Sequence, residues 1–327
     1  MRERAEAPWV DNATITPFRT GELRVVDRNW KWVTGAVYDA AGDLIPQSQR
    51  LWARDTPQPV AADPAQIRRK PRVERTLEGD WVFAGHWHIH FGHFLTETLT
   101  NLWPVEALDA DGIVGMRIGV RAPVSFGSAG IRPIEPKPWM QELLALAGFG
   151  GREILISQLK AVGVERLLVP ERPVLIKHWV RPEAVELWRR MSDAVGERGA
   201  ARRVFLSRSR FNATVGRDGR ALRTDPEWDA LLDRSFAAAG FDVVHPEELS
   251  IKEQIAIARG VEVLAASKGS ALHLSCFASP GTKVLEVGEP GRSDPPPTQR
   301  AIDAACGNLV AYIEHGDRDA LERLKGL

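Results

Sequence analysis

FDVVHPEELSIKEQIAIARGVEVLAASKGSALHLSCFASPGTKVLEVG, residues 241 to 288, decides the fold. FDVVHP reads as a strand. SIKEQIAIARG opens with a capping box, Ser250 and Glu253, and reads as a helix. VEVLAAS is the next strand, GSALHLSCFA begins a short helix, and TKVLEVG is a strand again. The same rhythm continues on both sides. Upstream lie the strand RRVFLSRS and the helix DPEWDALLDRSFAAAG, with Asp225 as N-cap, Pro226 in the first turn and Gly240 as stop. Downstream come the helix TQRAIDAACG, the strand NLVAYIE and the helix DRDALERLKGL. Five strands alternating with helices predict βαβ units and a parallel, Rossmann-like sheet.

The first half has another texture. Residues 22 to 38 alternate as strands do, and the following DAAGD reverses the chain. Residues 45 to 80 hold several prolines and no clear period, so they read mostly as loop. WVFAGHWHIHF (81 to 91) reads as a strand, GHFLTETLTNLW as a helix with Leu95, Leu99 and Leu102 on one face, ended by Pro104. RIGVRAPV, REILIS and ERLLVP read as strands, and KPWMQELLALAGFG as a helix. The amphipathic RPEAVELWRRMSDAVG (181 to 196) joins the halves. The expected domains are residues 1–180 and 181–327, the second Rossmann-like.

Composition excludes several classes. Lys plus Arg equals Asp plus Glu at 43 each, so no bulk field draws the chain to nucleic acid or an anionic membrane. Two cysteines, Cys276 and Cys306, form no disulfide framework and suit a reducing cytosol. The charged start MRERAEAPWVDN has no apolar signal region, and no run of about 18 apolar residues exists to span a bilayer. The expected location is cytoplasmic, with peripheral contact to an inner membrane or a lipid-linked molecule left open.

In an open parallel sheet, ligands bind beyond the carboxyl ends of the strands. Three loops there carry cations and small residues: Ser207-Arg208-Ser209-Arg210, Ser267-Lys268-Gly269-Ser270 and Gly288-Glu289-Pro290-Gly291-Arg292. A helix N-terminus offers free N–H groups, Gly269 permits close backbone approach, and Arg208 can grip phosphate oxygens in a fork. That chemistry suits a diphosphate. Neither GxGxxG nor GxxxxGK[ST] occurs.

SRSR, followed by the opening stretch, resembles the family 61 glycosyltransferases. Their pattern has a strand ending in Ser-Arg, a "Gf-x-vv-x-pe-x-ls-x-x-eQi" segment, a Gly-Ser/Ala turn, "F-x-p-x-G" and "v-x-E". GHFLTETLTNLW is similar to the same family's "GHfl-x-E-x-l-x-x-lW". The resemblance covers about residues 80 to 108 and 203 to 288. Members include plant xylan-decorating enzymes, animal enzymes that add N-acetylglucosamine to proteins, and bacterial proteins linked to surface polysaccharides. It implies a GT-B-like α/β architecture, two Rossmann-like domains across a cleft. It also implies inverting transfer from a nucleotide sugar, with a UDP-sugar expected as co-substrate, no other cofactor and no metal. Two departures stand out. Lys268 precedes the Gly-Ser turn where many members have His or a small residue. The usual second arginine is spread over Arg210, Arg217, Arg220 and Arg223.

An inverting transferase needs a general base for the acceptor hydroxyl. Glu97 stands at the family's acidic position and is expected to be that base. His93, at i−4 on the same helix face, is expected to orient it or to touch the donor. Arg208, Lys268, Gly269, Ser270, His273 and Glu286 are the expected donor-binding residues, Glu286 at a ribose hydroxyl. His86, His88 and His90 alternate, so on a strand they share one face about 7 Å apart. They read as a polar face lining the cleft; with no cysteine nearby and no HExxH, zinc is not expected. Tryptophans such as Trp103 and Trp188 read as core. The alternatives are a pyruvyl-type polysaccharide-modifying transferase, a non-catalytic nucleotide- or glycan-binding relative, and a zinc hydrolase.

Overall fold

The computed structural model describes residues 4–25, 28–52, 58–59, 63–68, 71–117, 135–158, 160–196, 203–217 and 224–324. The expected strand RIGVRAPV beyond Arg117, and the candidate arginines Arg220 and Arg223, lie outside them; so does the side chain of Arg217. The chain divides into two compact units, Met1–Leu187 and Trp188–Leu327, the division falling within the helix Pro182–Asp193.

The second unit is a five-stranded parallel sheet, in chain order Arg203–Leu206, Asp242–Val244, Val263–Ser267, Lys283–Val287 and Leu309–Ile313. In space the second strand lies outside the first, and the others follow on the opposite side, an order of 2-1-3-4-5. The direction of winding therefore reverses between the first and third strands, where such sheets bind ligands. The inner strands are apolar because both faces are covered. On one face Phe205, Ala265, Leu285 and Val287 meet Trp228, Leu232 and Phe236. Phe205 and Phe236 stack with centroids 4.1 Å apart. The Asp225 cap and the Ser250–Glu253 capping box form as expected. The segment after Gly269 is a 3₁₀ helix, Ser270–Phe277. The helix Ser209–Arg217 was not expected.

The first unit has a seven-stranded mixed sheet. Four strands run parallel: Glu153–Ser157, Gly112–Arg117, Val73–Trp87 and Ala161–Leu168, in that spatial order. Trp9–Ile15 then pairs antiparallel with Ala161–Leu168, and Val37–Tyr38 and Leu44–Ile45 complete that edge. This antiparallel flank departs from the plain Rossmann-like sheet expected of the first domain. Ile15, Val37, Leu77, Trp81, Phe83, Val114, Val162 and Leu167 form its core. Trp188 is fully buried, and Trp103 donates its indole N–H to the Glu171 carbonyl, so both serve structure. Among the described residues no helix is long and apolar enough to cross a membrane.

Candidate active site

The strand Val73–Trp87 delivers the first group of polar side chains. Gly85 sits at φ +71°, and the pairing register shifts between Phe83 and His86. A β-carbon at Gly85 would overlap the Asn101 side-chain amide, which donates to the Ala84 carbonyl. The bulge and the strand's end at Trp87 break the two-residue alternation. His86, His88 and His90 therefore do not line one strand face, contrary to expectation. His86 is fully buried, His88 lies past the strand and nearly buried, and His90 is exposed.

The expected helix follows, but it is irregular: a short turn at Phe91–His93, a π-helical turn at Phe94–Thr98 and a 3₁₀ turn at Leu99–Leu102. Such π turns recur at functional sites. Thr98 ties the segment to the strand, donating to the His86 carbonyl at 2.9 Å and accepting from the His88 N–H at 3.1 Å.

Glu97 is the centre of the site. Its side chain is 3% exposed, and its Oε2 accepts from His93 Nδ1 at 2.5 Å. Its Oε1 faces Arg50 Nη2 at 3.5 Å and Arg172 Nη1 at 3.8 Å. Burial opposes its ionisation, but the hydrogen bond from His93 and the nearby His88, Arg50 and Arg172 outweigh burial. The carboxyl is held well below the usual carboxylate range. A carboxylate so stabilised is a weak proton acceptor.

His93 is different. Its side chain is 47% exposed. Because a carboxylate accepts at Nδ1, Nδ1 carries the proton and Nε2 carries the lone pair. An imidazole in this tautomer takes a proton at Nε2, and the ionised partner stabilises the resulting cation. Sequence reasoning paired His93 with Glu97 correctly in space but did not find Arg50 or Arg172. Both lie in proline-containing segments with no motif, and only the tertiary fold brings them to Glu97.

The ligand atoms of His88, His93 and Glu97 lie within 4.8 Å of one another, a spacing that could hold a metal ion. The donor set fits poorly. His88 Nε2 already receives Arg50 Nη1 at 3.2 Å, and His93 Nδ1 holds the proton shared with Glu97. Two guanidinium cations would flank the ion.

His86 and His88 are neutral. Burial, with further contributions from Arg50 and Arg172, pushes His86 well below the usual imidazole range; burial likewise takes His88 down to about 3, against the attraction of Glu97. A lowered folded pKa means that the unfolded chain binds protons first. This stability is complete above an unfolded value of about 6.5 and is lost as pH falls from there towards 3. Each histidine then costs about 1.4 kcal/mol per pH unit. The difference in unfolding free energy between wild type and His88→Gln is expected to shrink by roughly that slope between pH 6 and 5, read by denaturant titration. A pH-independent difference would refute a neutral His88.

In the second unit, the reversal of strand order joins the loops of Arg208 and Gly269. Arg208 Nη1 lies 3.4 Å from the Lys268 carbonyl, and its guanidinium stands 5.6 Å from the Phe211 ring centroid. Gly269 has φ +150°, and a β-carbon there would overlap Arg208 Nη1. Lys268 pairs with Glu289, which also holds Arg292 Nε at 3.1 Å. The third loop thus brings its own counter-charge. Ser270 begins the 3₁₀ helix. His273 Nδ1 donates to Gln299 Oε1 at 2.8 Å. Gln299 continues through Ser275 and Asp303 in a buried network.

Glu286 is the penultimate residue of the fourth strand and is 1% exposed; among the described residues its Oε2 has no hydrogen-bond partner. Burial first, then Asp303, pushes its carboxyl up to about 7. It can therefore both donate and accept near neutrality. The two cysteines are free and buried.

The fold is mixed α/β, with a Rossmann-like unit whose strand-order reversal carries the loops of Arg208 and Lys268. The model of the Glycosyltransferase 61 family matches residues 91–285. The chain belongs to that family and is a glycosyltransferase. The match spans His93, Glu97, Arg208, Lys268, Gly269, Ser270 and His273, and ends one residue before Glu286. No curated protein matches the chain.

Proposed function

We propose that the chain is an inverting, metal-independent transferase of GT-B-like architecture. It moves a sugar from a nucleotide sugar, a UDP-sugar by expectation, to a glycan acceptor of a surface polysaccharide. The observation that carries this reading is the meeting of Arg208 with Gly269 and the Lys268 carbonyl at the strand-order reversal. A guanidinium, a glycine and the start of a helical segment there suit a nucleoside diphosphate.

In this reading the base is His93, not Glu97. The acceptor hydroxyl gives its proton to His93 Nε2 as its oxygen attacks the anomeric carbon. The bond to the diphosphate breaks on the opposite face, and the departing charge is held by Arg208 and backbone N–H groups near Gly269. Glu97 is a positioning residue that fixes the tautomer and stabilises the imidazolium. Glu286 receives a donor hydroxyl. The poor fit of His88, His93 and Glu97 to a cation supports transfer without metal.

Calorimetric titration of UDP, GDP, CDP and CMP with EDTA present tests the donor site. One nucleotide is expected to bind saturably, and Arg208→Ala to weaken it by about 1.5–3 kcal/mol, the range for hydrogen bonds to charged groups. No binding by any nucleotide would remove the donor reading.

A further inference from the structure

Glu97 is outnumbered. Two permanent cations, Arg50 and Arg172, face its one carboxylate, and the adjacent His86 and His88 are neutral. Among the described residues neither arginine meets a second carboxylate. Their contacts with Oε1, at 3.5 and 3.8 Å, exceed the 2.7–2.9 Å of a charge-assisted hydrogen bond. Among the described residues each guanidinium otherwise meets a neutral imidazole nitrogen, His88 Nε2 at 3.2 Å and His86 Nδ1 at 3.4 Å. Arg172, 7% exposed, also keeps its buried Nε without a hydrogen-bond partner among the described residues. An uncompensated buried cation is costly, and a fold retains one where a ligand completes it. The excess charge is reachable: Arg50 is 20% exposed and belongs to the same cluster as exposed His93.

We propose that Arg50 and Arg172 form an anion-binding subsite for a carboxylate or phosphate on the acceptor sugar, beside the hydroxyl that His93 deprotonates. This rests on the transferase reading above for the identity of the acceptor, but not for the anion site itself. Two planar guanidinium forks match the paired oxygens of a carboxylate or phosphate. The acceptor is therefore a uronic acid or a phosphorylated sugar rather than a neutral one. Glu97, while holding His93, also keeps the empty subsite from carrying a full double charge.

The test uses the full chain and saturation-transfer NMR titrations with glucuronate, glucose 1-phosphate and glucose, alongside UDP by calorimetry. Wild type is expected to bind one anionic sugar at least about tenfold more tightly than glucose, a difference of about 1.4 kcal/mol. Which one binds separates carboxylate from phosphate. Arg50→Gln should lose that preference and leave UDP affinity unchanged, while Arg50→Lys retains part of it. No advantage of either anion over glucose overturns the proposal. So does a fall in UDP affinity in Arg50→Gln that matches Arg208→Ala, because the anion would then be the donor diphosphate. Anion preference with no UDP binding would leave the subsite standing and sink the donor reading instead.

Discussion

His93→Gln is expected to lose about 10²–10⁴-fold in kcat while keeping nucleotide binding and melting temperature, the usual contribution of a general base. The side chain is 47% exposed, so its replacement leaves little buried volume to collapse. Glu97→Gln separates base from positioning residue. It also loses turnover, because an amide no longer selects the Nδ1–H tautomer. Unlike His93→Gln it melts lower: deleting the carboxylate strands two guanidinium groups, and breaking a buried pair costs about 3–5 kcal/mol. Steady-state kinetics with thermal melts decide the matter. Full activity in His93→Gln, with activity lost in Glu97→Gln, would restore Glu97 as the base.

Gly269→Ala is expected to damage the donor site more than removal of any one side chain there. At φ +150° a non-glycine residue is strained, at about 1–3 kcal/mol. The new methyl would also occupy the space of Arg208 Nη1, so the guanidinium must leave the Lys268 carbonyl. Strain and displacement act together. Nucleotide binding should fall at least as far as in Arg208→Ala, and the second unit should melt lower, where Arg208→Ala leaves the melt unchanged. Calorimetry and a melting curve of both variants show this directly. Near-normal binding in Gly269→Ala would mean that the diphosphate does not approach this turn.

The second unit was largely legible because its strands and helices switch between apolar periods of two and 3.6, with caps at the junctions. Ser250, Glu253 and Asp225 cap as read. The first unit was less so. In the strand Trp9–Ile15, Asn12 adopts a left-handed conformation amid WVDNATI, and alternation is lost. The strand Val73–Trp87 begins with the charged, largely exposed VERTLEGD, which resembles a loop. Residues 81 to 91 read as one strand in the sequence, but the bulge at Gly85 and the end at Trp87 turn successive histidines to different surroundings. The GHFLTE segment pointed to Glu97 and His93. The division of labour proposed for them rests on Arg50 and Arg172, which are distant in sequence and have no pattern of their own.

The place of Trp9–Ile15 in the first sheet sets a schedule for biosynthesis. Among the described residues this strand pairs with Ala161–Leu168 and Val37–Tyr38, and the Ala161–Leu168 partner carries most of its register. At about 5–20 residues per second, on the order of ten seconds or more separates synthesis of the two. Through that interval the apolar face of Trp9–Ile15 has no partner strand of full length, and its closure spans most of the unit. Trp9–Ile15 is thus incorporated among the last pieces of its own sheet, and a holding chaperone has its clearest opportunity on the nascent chain before residue 168 emerges.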